Sequence, residues 1–482
     1  MKILFLANTL FDSIGQMYLT AFLKKGGHQC KILIECEHRD FISDILREKP
    51  DVAAFSITTG NHLWAINLGR TLKRIKQGLK IVFGGPHCTF YPQSISHPDV
   101  DAICIGEGEI AFLELVNRWE SGEKPTDIAN FCFKENGNIY RNDVRNYIED
   151  LDILPFPDRE YYTRYKFLHD YPSKPIMAGR GCPYKCTFCF NDGMNKLYKG
   201  KGKTVRYRSV RNIIEEIEHL KKNYPLKTVV FMDDTFAMNK PWLEEFLENY
   251  KKHDLPPFWC QLRVNLVTED LVKNLSEAGC RRVSLGIESG NEYIREKILH
   301  KGITNEKIIE TGNVLRKYKI KFRTYNMFGL PEETLDRAFE TVLINQKIKT
   351  DYPWAAIAQP FPGTELFTYM QDNGMIKGDV DIDKINTSFF KESIVQDKEI
   401  GKLVNLQKLF YLVVKFPVLN KTVKTLVHYN WLRFLYEAVF KVTYIINSAG
   451  SYNTPIFRTL VHAFKMNKMY SKANISEDIQ EK

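Results

Sequence analysis

Over roughly the first 125 residues, short apolar runs alternate with stretches whose apolar residues recur every three or four positions. The runs at 2–7, 30–36, 52–57, 80–83 and 101–105 predict buried strands, because they are short, continuous and bounded by turn residues. The segments at 17–25, 62–77 and 110–119 carry the helical period. Strand and helix taking turns in this way predict an α/β fold, an open, doubly wound parallel sheet with helices on both faces. Residues 1–130 are assigned to that domain. Residues 131–170 are less regular, and the prolines of 148–158 read as an extended connector. A second alternating series then begins. Its strands are predicted at 175–178, 228–233, 258–263, 282–286, 321–328 and 355–360, with helices at 210–223, 240–253, 269–278, 306–318 and 335–347. Six such units make a partial (β/α)6 barrel over 171–385, short of the eight of a closed one. Beyond about residue 387 only helical patterns remain, so 386–482 forms a helical C-terminal region.

Composition adds little to this and charge adds more. Apolar and charged fractions of 44% and 26% are those of a globular protein. The apolar start of the chain is too short to span a bilayer, and no small-residue cleavage site follows it. It therefore reads as a first strand and not as a signal peptide. The net charge of +10 is concentrated at one end. From 402 to 472 the basic residues are Lys402, Lys408, Lys415, Lys421, Lys424, Arg433, Lys441, Arg458, Lys465, Lys468 and Lys472, against the single acid Glu437. Such a segment either docks on the barrel, burying Phe410, Phe416, Trp431, Phe434 and Tyr444, or lies on an anionic membrane surface. No uncharged apolar run there reaches spanning length. No nucleic-acid-binding module is recognisable, so no nucleic acid partner is expected.

The chain has ten cysteines. Seven are scattered singly, often in apolar runs, as reduced thiols of a cytoplasmic protein are. The other three, Cys182, Cys186 and Cys189, stand in Gly-Arg-Gly-Cys-Pro-Tyr-Lys-Cys-Thr-Phe-Cys-Phe at 179–190, directly after the first strand of the second series. Structural zinc usually takes four ligands in pairs, and disulfides need an even number. Three thiolates on one loop suit three irons of a [4Fe–4S] cube, leaving the fourth iron to bind a small molecule. A zinc knuckle with a distant fourth ligand, or plain buried cysteines, are the alternatives. In the first series, small residues sit where strands end, at 56–60, 84–88 and 106–108. They are either ordinary turns or room left for a bulky, flat ligand at the carboxyl edge of the sheet.

The segment GRGCPYKCTFC resembles the signature of the radical S-adenosylmethionine (SAM) enzymes. PDVAAFSITT, IVFGGPHCTFYP and VDAICIGEGE are similar to segments of the cobalamin-binding domain that precedes many of them, and LDILPFPDRE is similar to its connector. VVFMDDTF, RVSLGIESGNE, MFGLPEET and PFPGTEL follow in the order of the radical SAM core. The resemblance spans residues 1 to about 380 and is weak for the substrate. It implies three cofactors: a [4Fe–4S] cluster on Cys182, Cys186 and Cys189, SAM and cobalamin. It implies that Phe188 packs on the adenine, that Asp233 and Asp234 bind the ammonium or ribose of SAM, that Arg263 pairs with its carboxylate, and that Glu288 and Ser289 reach the ribose and methionine. Helix capping and a structural ion pair are the alternatives for Asp233, Asp234 and Arg263. Ser56, Thr58, Thr59, Gly84, Gly85, Pro86, His87, Gly106 and Glu107 would surround cobalamin and its nucleotide tail. Many cobalamin proteins place a cobalt-ligating histidine after the first strand. This chain has Asp12-Ser-Ile-Gly15 there, so cobalamin without a histidine lower ligand is expected, with His87 structural or tail-binding. The implied activity is methylation of an unactivated carbon of a small molecule by a 5′-deoxyadenosyl radical and methylcobalamin. Rearrangement, cyclisation or oxidation without methyl transfer is the alternative. A reducing donor such as flavodoxin or ferredoxin would supply electrons. A sensor without turnover would not need the complete set of SAM-contact motifs present here.

Overall fold

The computed structural model describes residues 1–463 apart from positions 11, 136, 377–381, 386, 387, 391, 392, 453 and 462. Lys465, Lys468 and Lys472 lie outside the described residues. The chain divides into two compact units, and the sequence is not partitioned simply along its length. Met1–Tyr171 and Gly193–Arg206 belong to the first unit, Pro172–Asp192 and Tyr207–Val461 to the second.

In the first unit, β1 (Lys2–Ala7), β2 (Gln29–Ile34), β3 (Val52–Ser56), β4 (Lys80–Gly84) and β5 (Ala102–Cys104) pair in parallel in the order β2-β1-β3-β4-β5. This is the doubly wound order whose switch point lies between β1 and β3. Ile3, Leu4, Phe5 and Leu6 are all buried, as expected of a strand covered on both faces. Each such side chain contributes about 1.5–3 kcal/mol of burial. The helices are α1 (Ile14–Lys25), α2 (Phe41–Arg47), α3 (His62–Ile75), α4 (Pro86–Phe90) and α5 (Glu109–Glu120). Two antiparallel strands, β6 (Phe131–Glu135) and β7 (Asn138–Arg141), extend the sheet to seven. They fall in the stretch read as irregular. All four residues of β7 are exposed, so no alternation of apolar and polar residues marks it.

In the second unit, β8 (Ser173–Ile176), β9 (Thr228–Phe231), β10 (Phe258–Leu262), β11 (Cys280–Glu288), β12 (Lys321–Phe328) and β13 (Tyr352–Ile357) form one parallel sheet in chain order. Sequential order with a helix after each strand is the arrangement of the predicted partial (β/α)6 barrel. The intervening helices are α6 (Val210–Asn223), α7 (Lys240–Lys252), α8 (Glu269–Glu277), α9 (Asn305–Lys317) and α10 (Leu335–Lys347). Each starts at a Ser, Asn or Thr whose side chain accepts a backbone N–H of the first turn: Ser209, Asn239, Thr268, Thr304 and Thr334. Such caps contribute about 1 kcal/mol apiece.

After α11 (Glu365–Asp372) come α12 (Ile400–Lys415), α13 (Asn420–Leu426) and α14 (Arg433–Tyr452). Helix α12 is a true cap. Leu403, Leu406, Phe410 and Val413 share a core with Phe328 of β12 and Ile357 of β13. The burial expected of a docked tail holds for Phe410 and in part for Tyr444, and fails for Phe416, Trp431 and Phe434, which are exposed. The reason for Phe434 is geometric: α14 turns Tyr436, Val439, Phe440 and Tyr444 inward instead. Among the described residues no helix is long and apolar enough to cross a membrane.

Candidate active site and cofactor edges

The three cysteines of the motif occupy the loop after β8, and two features fix that loop. Asp233, just beyond β9, is buried and its carboxylate accepts the backbone N–H groups of Ala178 (3.3 Å) and Gly179 (2.5 Å). Burial pushes its pKa up to about 7, against the pull of these bonds. Thr187 donates its hydroxyl to the Ile298 carbonyl at 2.6 Å, and its own carbonyl accepts from Leu366 N–H at 2.8 Å. Each cysteine sulfur has a donor of its own. Arg263 Nη1 approaches Cys186 Sγ at 3.2 Å and Asn191 Nδ2 approaches Cys189 Sγ at 3.6 Å. At Cys182 the Tyr184 N–H pulls the thiol down against burial. Burial raises the Cys182 thiol and pushes Cys189 up to about 11, a balance that a positively charged centre reverses. All ten cysteines are free. No group of three described side chains sits at the spacing of ligands to a single metal ion. A cube places each thiolate on a different iron, so sulfurs that hold one stand apart.

Beside the loop lies a charged cluster. Glu288 ends β11 with φ +67, a conformation that costs a non-glycine residue about 1–3 kcal/mol and is found where function requires it. Its carboxylate pairs with Lys301 Nζ at 2.8 Å, both side chains being nearly buried. A Cβ at Gly286 would lie 2.4 Å from Glu288 Oε1 and 2.8 Å from Lys301 Nζ, so the glycine makes room for the pair. The Lys301 ammonium also stands over the Phe188 ring at 5.4 Å, and Phe188 packs on an apolar cluster that includes Ile294, Leu299 and Leu366. Arg263 stacks on Tyr184 at 3.8 Å and donates to the Lys301 carbonyl. Its Nε is buried without a hydrogen-bond partner among the described residues. Ser289 is buried, its hydroxyl accepting from Asn291 N–H, whereas Asp234 is exposed. Of the sequence-predicted residues, Phe188, Arg263, Glu288 and the cysteine loop come together. Asp233 acts on the loop's backbone. Lys301 was missed, and nothing local in His300-Lys301-Gly302 marks it, because its partner lies across the π turn Ile294–Ile298.

In the first unit, the turns after β3 and β4 are stitched together. Ile57 N–H donates to the Gly84 carbonyl at 2.8 Å and His87 N–H to the Ile57 carbonyl at 3.0 Å. Gly85 has φ +89, and a Cβ there would lie 2.8 Å from both Ile57 N and O. His87 is buried, stacked on His62 at 4.5 Å and within 3.0 Å of the Thr59 hydroxyl. Burial, with His62 and His97 adding, lowers its pKa to about 3, so the imidazole is neutral. Ser56, Thr58 and Pro86 are exposed along this edge. Gly106 has φ +74, and a Cβ there would strike the Tyr198 ring. Tyr198 Oη accepts the Glu107 N–H at 2.8 Å. Glu107 itself is engaged: Arg206 holds its carboxylate at 2.9 and 3.0 Å, and Ile148 N–H adds a third bond. Arg206 lies over Tyr147 at 4.0 Å, and Tyr147 stacks on Tyr198 at 3.9 Å. Glu107 thus fastens its own loop, a role its position in the sequence does not disclose.

The sequence matches two family profiles, the B12 binding domain over residues 5–116 and the Radical SAM superfamily over 176–343. It is 31% identical over 371 residues to the uncharacterized methyltransferase PH0819 of Pyrococcus horikoshii, covering 75% of this chain and 79% of that one. The chain belongs to the cobalamin-dependent radical SAM enzymes. It is also 27% identical to the anaerobic magnesium-protoporphyrin IX monomethyl ester cyclase of Rubrivivax gelatinosus, over 74% of this chain and 65% of that one. The fold is shared with the cobalamin-dependent SAM radical enzyme OxsB, solved with aqua-cobalamin and SAM bound. The TM-score is 0.68 at 16% identity, covering 100% of this chain and 80% of that one. A [4Fe–4S] cluster, SAM and cobalamin are the cofactors of a cobalamin-dependent radical SAM enzyme, and the residues here fit them. Each cysteine sulfur has a donor in place for the thiolate form, and on the first edge Ser56, Thr58 and Pro86 stand exposed on turns that Gly85 and Gly106 let pack closely against Ile57 and Tyr198.

Proposed function

We propose that this protein methylates an unactivated carbon of a small-molecule substrate. When bound, the cluster with SAM supplies a radical that takes a hydrogen atom from substrate, and cobalamin supplies the methyl group. Cys182, Cys186 and Cys189 would hold three irons, and the donors on their sulfurs would favour the thiolate form. Arg263, with an unused Nε, is suited to a carboxylate, and exposed Asp234 to an ammonium. Glu288 and Ser289 would take hydroxyl or amino groups, and Phe188 an aromatic face. Asp233 acts indirectly, by holding the backbone before the motif. On the first edge Ser56, Thr58, Thr59, Gly84, Gly85, Pro86 and Gly106 would line the cobalamin site, while His87 and Glu107 keep its turns in shape. His87 is neutral and already engaged with His62 and Thr59, which supports cobalamin without a histidine lower ligand. The partners this reading requires are the substrate and an electron donor of the flavodoxin or ferredoxin kind; peripheral contact of the basic end with an anionic membrane is a separate reading, secondary to its role as a cap.

The observation that carries the reading is that each sulfur of the Cys-x-x-x-Cys-x-x-Cys loop is given its own donor in a chain that also folds a glycine-edged cobalamin-type sheet. The relative named a methyltransferase gives the reaction its direction. The relative named a cyclase favours a second reading, radical chemistry without methyl transfer. Reduced, reconstituted protein incubated with SAM deuterated at its methyl group separates the two. Equal appearance of S-adenosylhomocysteine and 5′-deoxyadenosine, with three deuteriums in the product, is expected. 5′-Deoxyadenosine and altered, unlabelled product without S-adenosylhomocysteine would overturn methyl transfer.

A further inference from the structure

An amphipathic helix on a water-soluble surface buries its apolar stripe; α14 packs one inward through Tyr436, Val439, Phe440 and Tyr444, yet carries a second apolar stripe outside. Its inward positions include Tyr436, Thr443, Asn447 and Ser451. Tyr436 Oη donates to the Leu426 carbonyl at 2.6 Å and Asn447 Nδ2 to the Pro353 carbonyl at 2.8 Å. Facing outward are Phe434, 72% exposed, with Leu435, Val442 and Ile446, all close to half exposed. The turn that leads into the helix adds Trp431, 73% exposed. The helix cannot roll over to hide these residues, because two buried guanidiniums hold its carboxyl end. Arg282 donates to Ser451 Oγ (3.2 Å) and the Gly450 carbonyl (3.3 Å), and Arg323 to Ser451 Oγ and Tyr452 Oη. Both cations stand where the helix dipole is negative.

The basic residues of the tail are sorted by the same packing. Lys402 pairs with Glu399, Lys424 with Asp336, and Lys408 and Lys415 donate to the carbonyls of Phe390 and Thr350. Lys421 and Lys441 are exposed, and helical spacing puts Lys441 in line with Phe434. The one acid of this segment, Glu437, is exposed on the same face, four residues before Lys441, so the positive charge there comes from Lys421 and from Lys441 in part. We propose that this face, Trp431, Phe434, Val442 and Ile446 with Lys421 and Lys441, docks on an anionic lipid bilayer. An apolar stripe edged by lysines and led by a tryptophan is what the headgroup boundary accommodates. A second copy fits it poorly, since a two-fold interface sets the same lysine-bearing patch against itself. The inference rests on the membrane reading of the tail and is independent of the chemistry at the cysteines.

The test uses the full-length protein carrying its cofactors, with vesicles of phosphatidylcholine alone or mixed with phosphatidylglycerol. Sedimentation with the mixed vesicles at low salt and release at high salt are expected. Each lysine near the surface is worth about fivefold in partitioning, so Lys421→Glu/Lys441→Glu should weaken binding more than tenfold. Trp431→Ser/Phe434→Ser should do the same at unchanged melting temperature. SAM cleavage and the cobalamin spectrum should be unaltered in both, so a failure at the cluster is read separately. Absence of binding to anionic vesicles at low salt would overturn the proposal, as would binding that both variants retain. A dimer in light scattering that Phe434→Ser dissolves, without vesicle binding, would assign the face to a second copy instead.

Discussion

Both sheets present the carboxyl ends of parallel strands, yet the two edges are built in opposite ways. Apart from the Glu107–Arg206 pair that fastens its last turn, the first is made by leaving side chains out. Gly84, Gly85 and Gly106 form its turns, its histidine is neutral, and α1, α3 and α5 begin without side-chain caps. The second is made by putting charge in. Asp233, Arg263, Glu288 and Lys301 crowd its strand ends, and side chains cap the helices that follow. An edge of glycine and backbone suits a large ligand recognised mainly by shape. An edge of paired charges suits a small zwitterion recognised group by group.

The comparison breaks most visibly at the cysteines. Substituting Cys182, Cys186 and Cys189 together by alanine should abolish the reconstituted cluster and all SAM cleavage while cobalamin absorbance is retained. Loss of both would mean that the edges are not separable. Next in size is Lys301→Met, which strands Glu288 in a buried site and should cost about 3–5 kcal/mol in urea unfolding. Glu288→Gln/Lys301→Met should recover part of that, since it removes both charges. Gly85→Ala forces a Cβ against the Ile57 backbone at positive φ and should cost roughly 2 kcal/mol. Cobalamin binding should suffer while cleavage of SAM continues.

The edges should also answer pH with opposite signs. The unfolded chain protonates His87 near 6.5 and the folded chain near 3, so stability is lost as pH falls through that window. Asp233 moves from 3.8 to about 7 on folding, so the folded chain keeps its proton longer and stability is lost as pH rises toward 7. Each limb has a slope of at most about 1.4 kcal/mol per pH unit. His87→Asn should flatten the first and Asp233→Asn the second. Smallest of all, Ser56→Ala and Thr58→Ala should leave stability within about 0.5 kcal/mol and lower cobalamin affinity by a few fold, measured by titration.

Much of this was legible before any coordinates. Strand 321–328 and helices 210–223 and 335–347 fall where their periodicity puts them, because their apolar faces meet one continuous core. Lys301 and Arg206 were not legible. Each is defined by a carboxylate outside its own segment, Glu288 across a π turn or Glu107 on another strand end, and neither lies in a patterned stretch. Strand β7 escaped because both of its faces are wet. Helix α14 misled for a subtler reason. Its periodicity is genuine, but hydrogen bonds to Pro353 and Leu426 and two arginines decide which face turns in, and none of these lies in the helix.

The two arginines bear also on the order in which the chain is made. Arg323 leaves the ribosome 128 residues ahead of its partner Ser451, and Arg282 a further strand and helix earlier. At roughly 5–20 residues per second, two guanidiniums destined for burial wait on the order of ten seconds for the helix end that supplies their hydrogen-bond acceptors. Most strands of the barrel can therefore pair during synthesis, but the two arginines find their acceptors only when the end of α14 arrives. A chain halted before residue 450 would keep nearly all of its sheet and leave two buried cations without their cap.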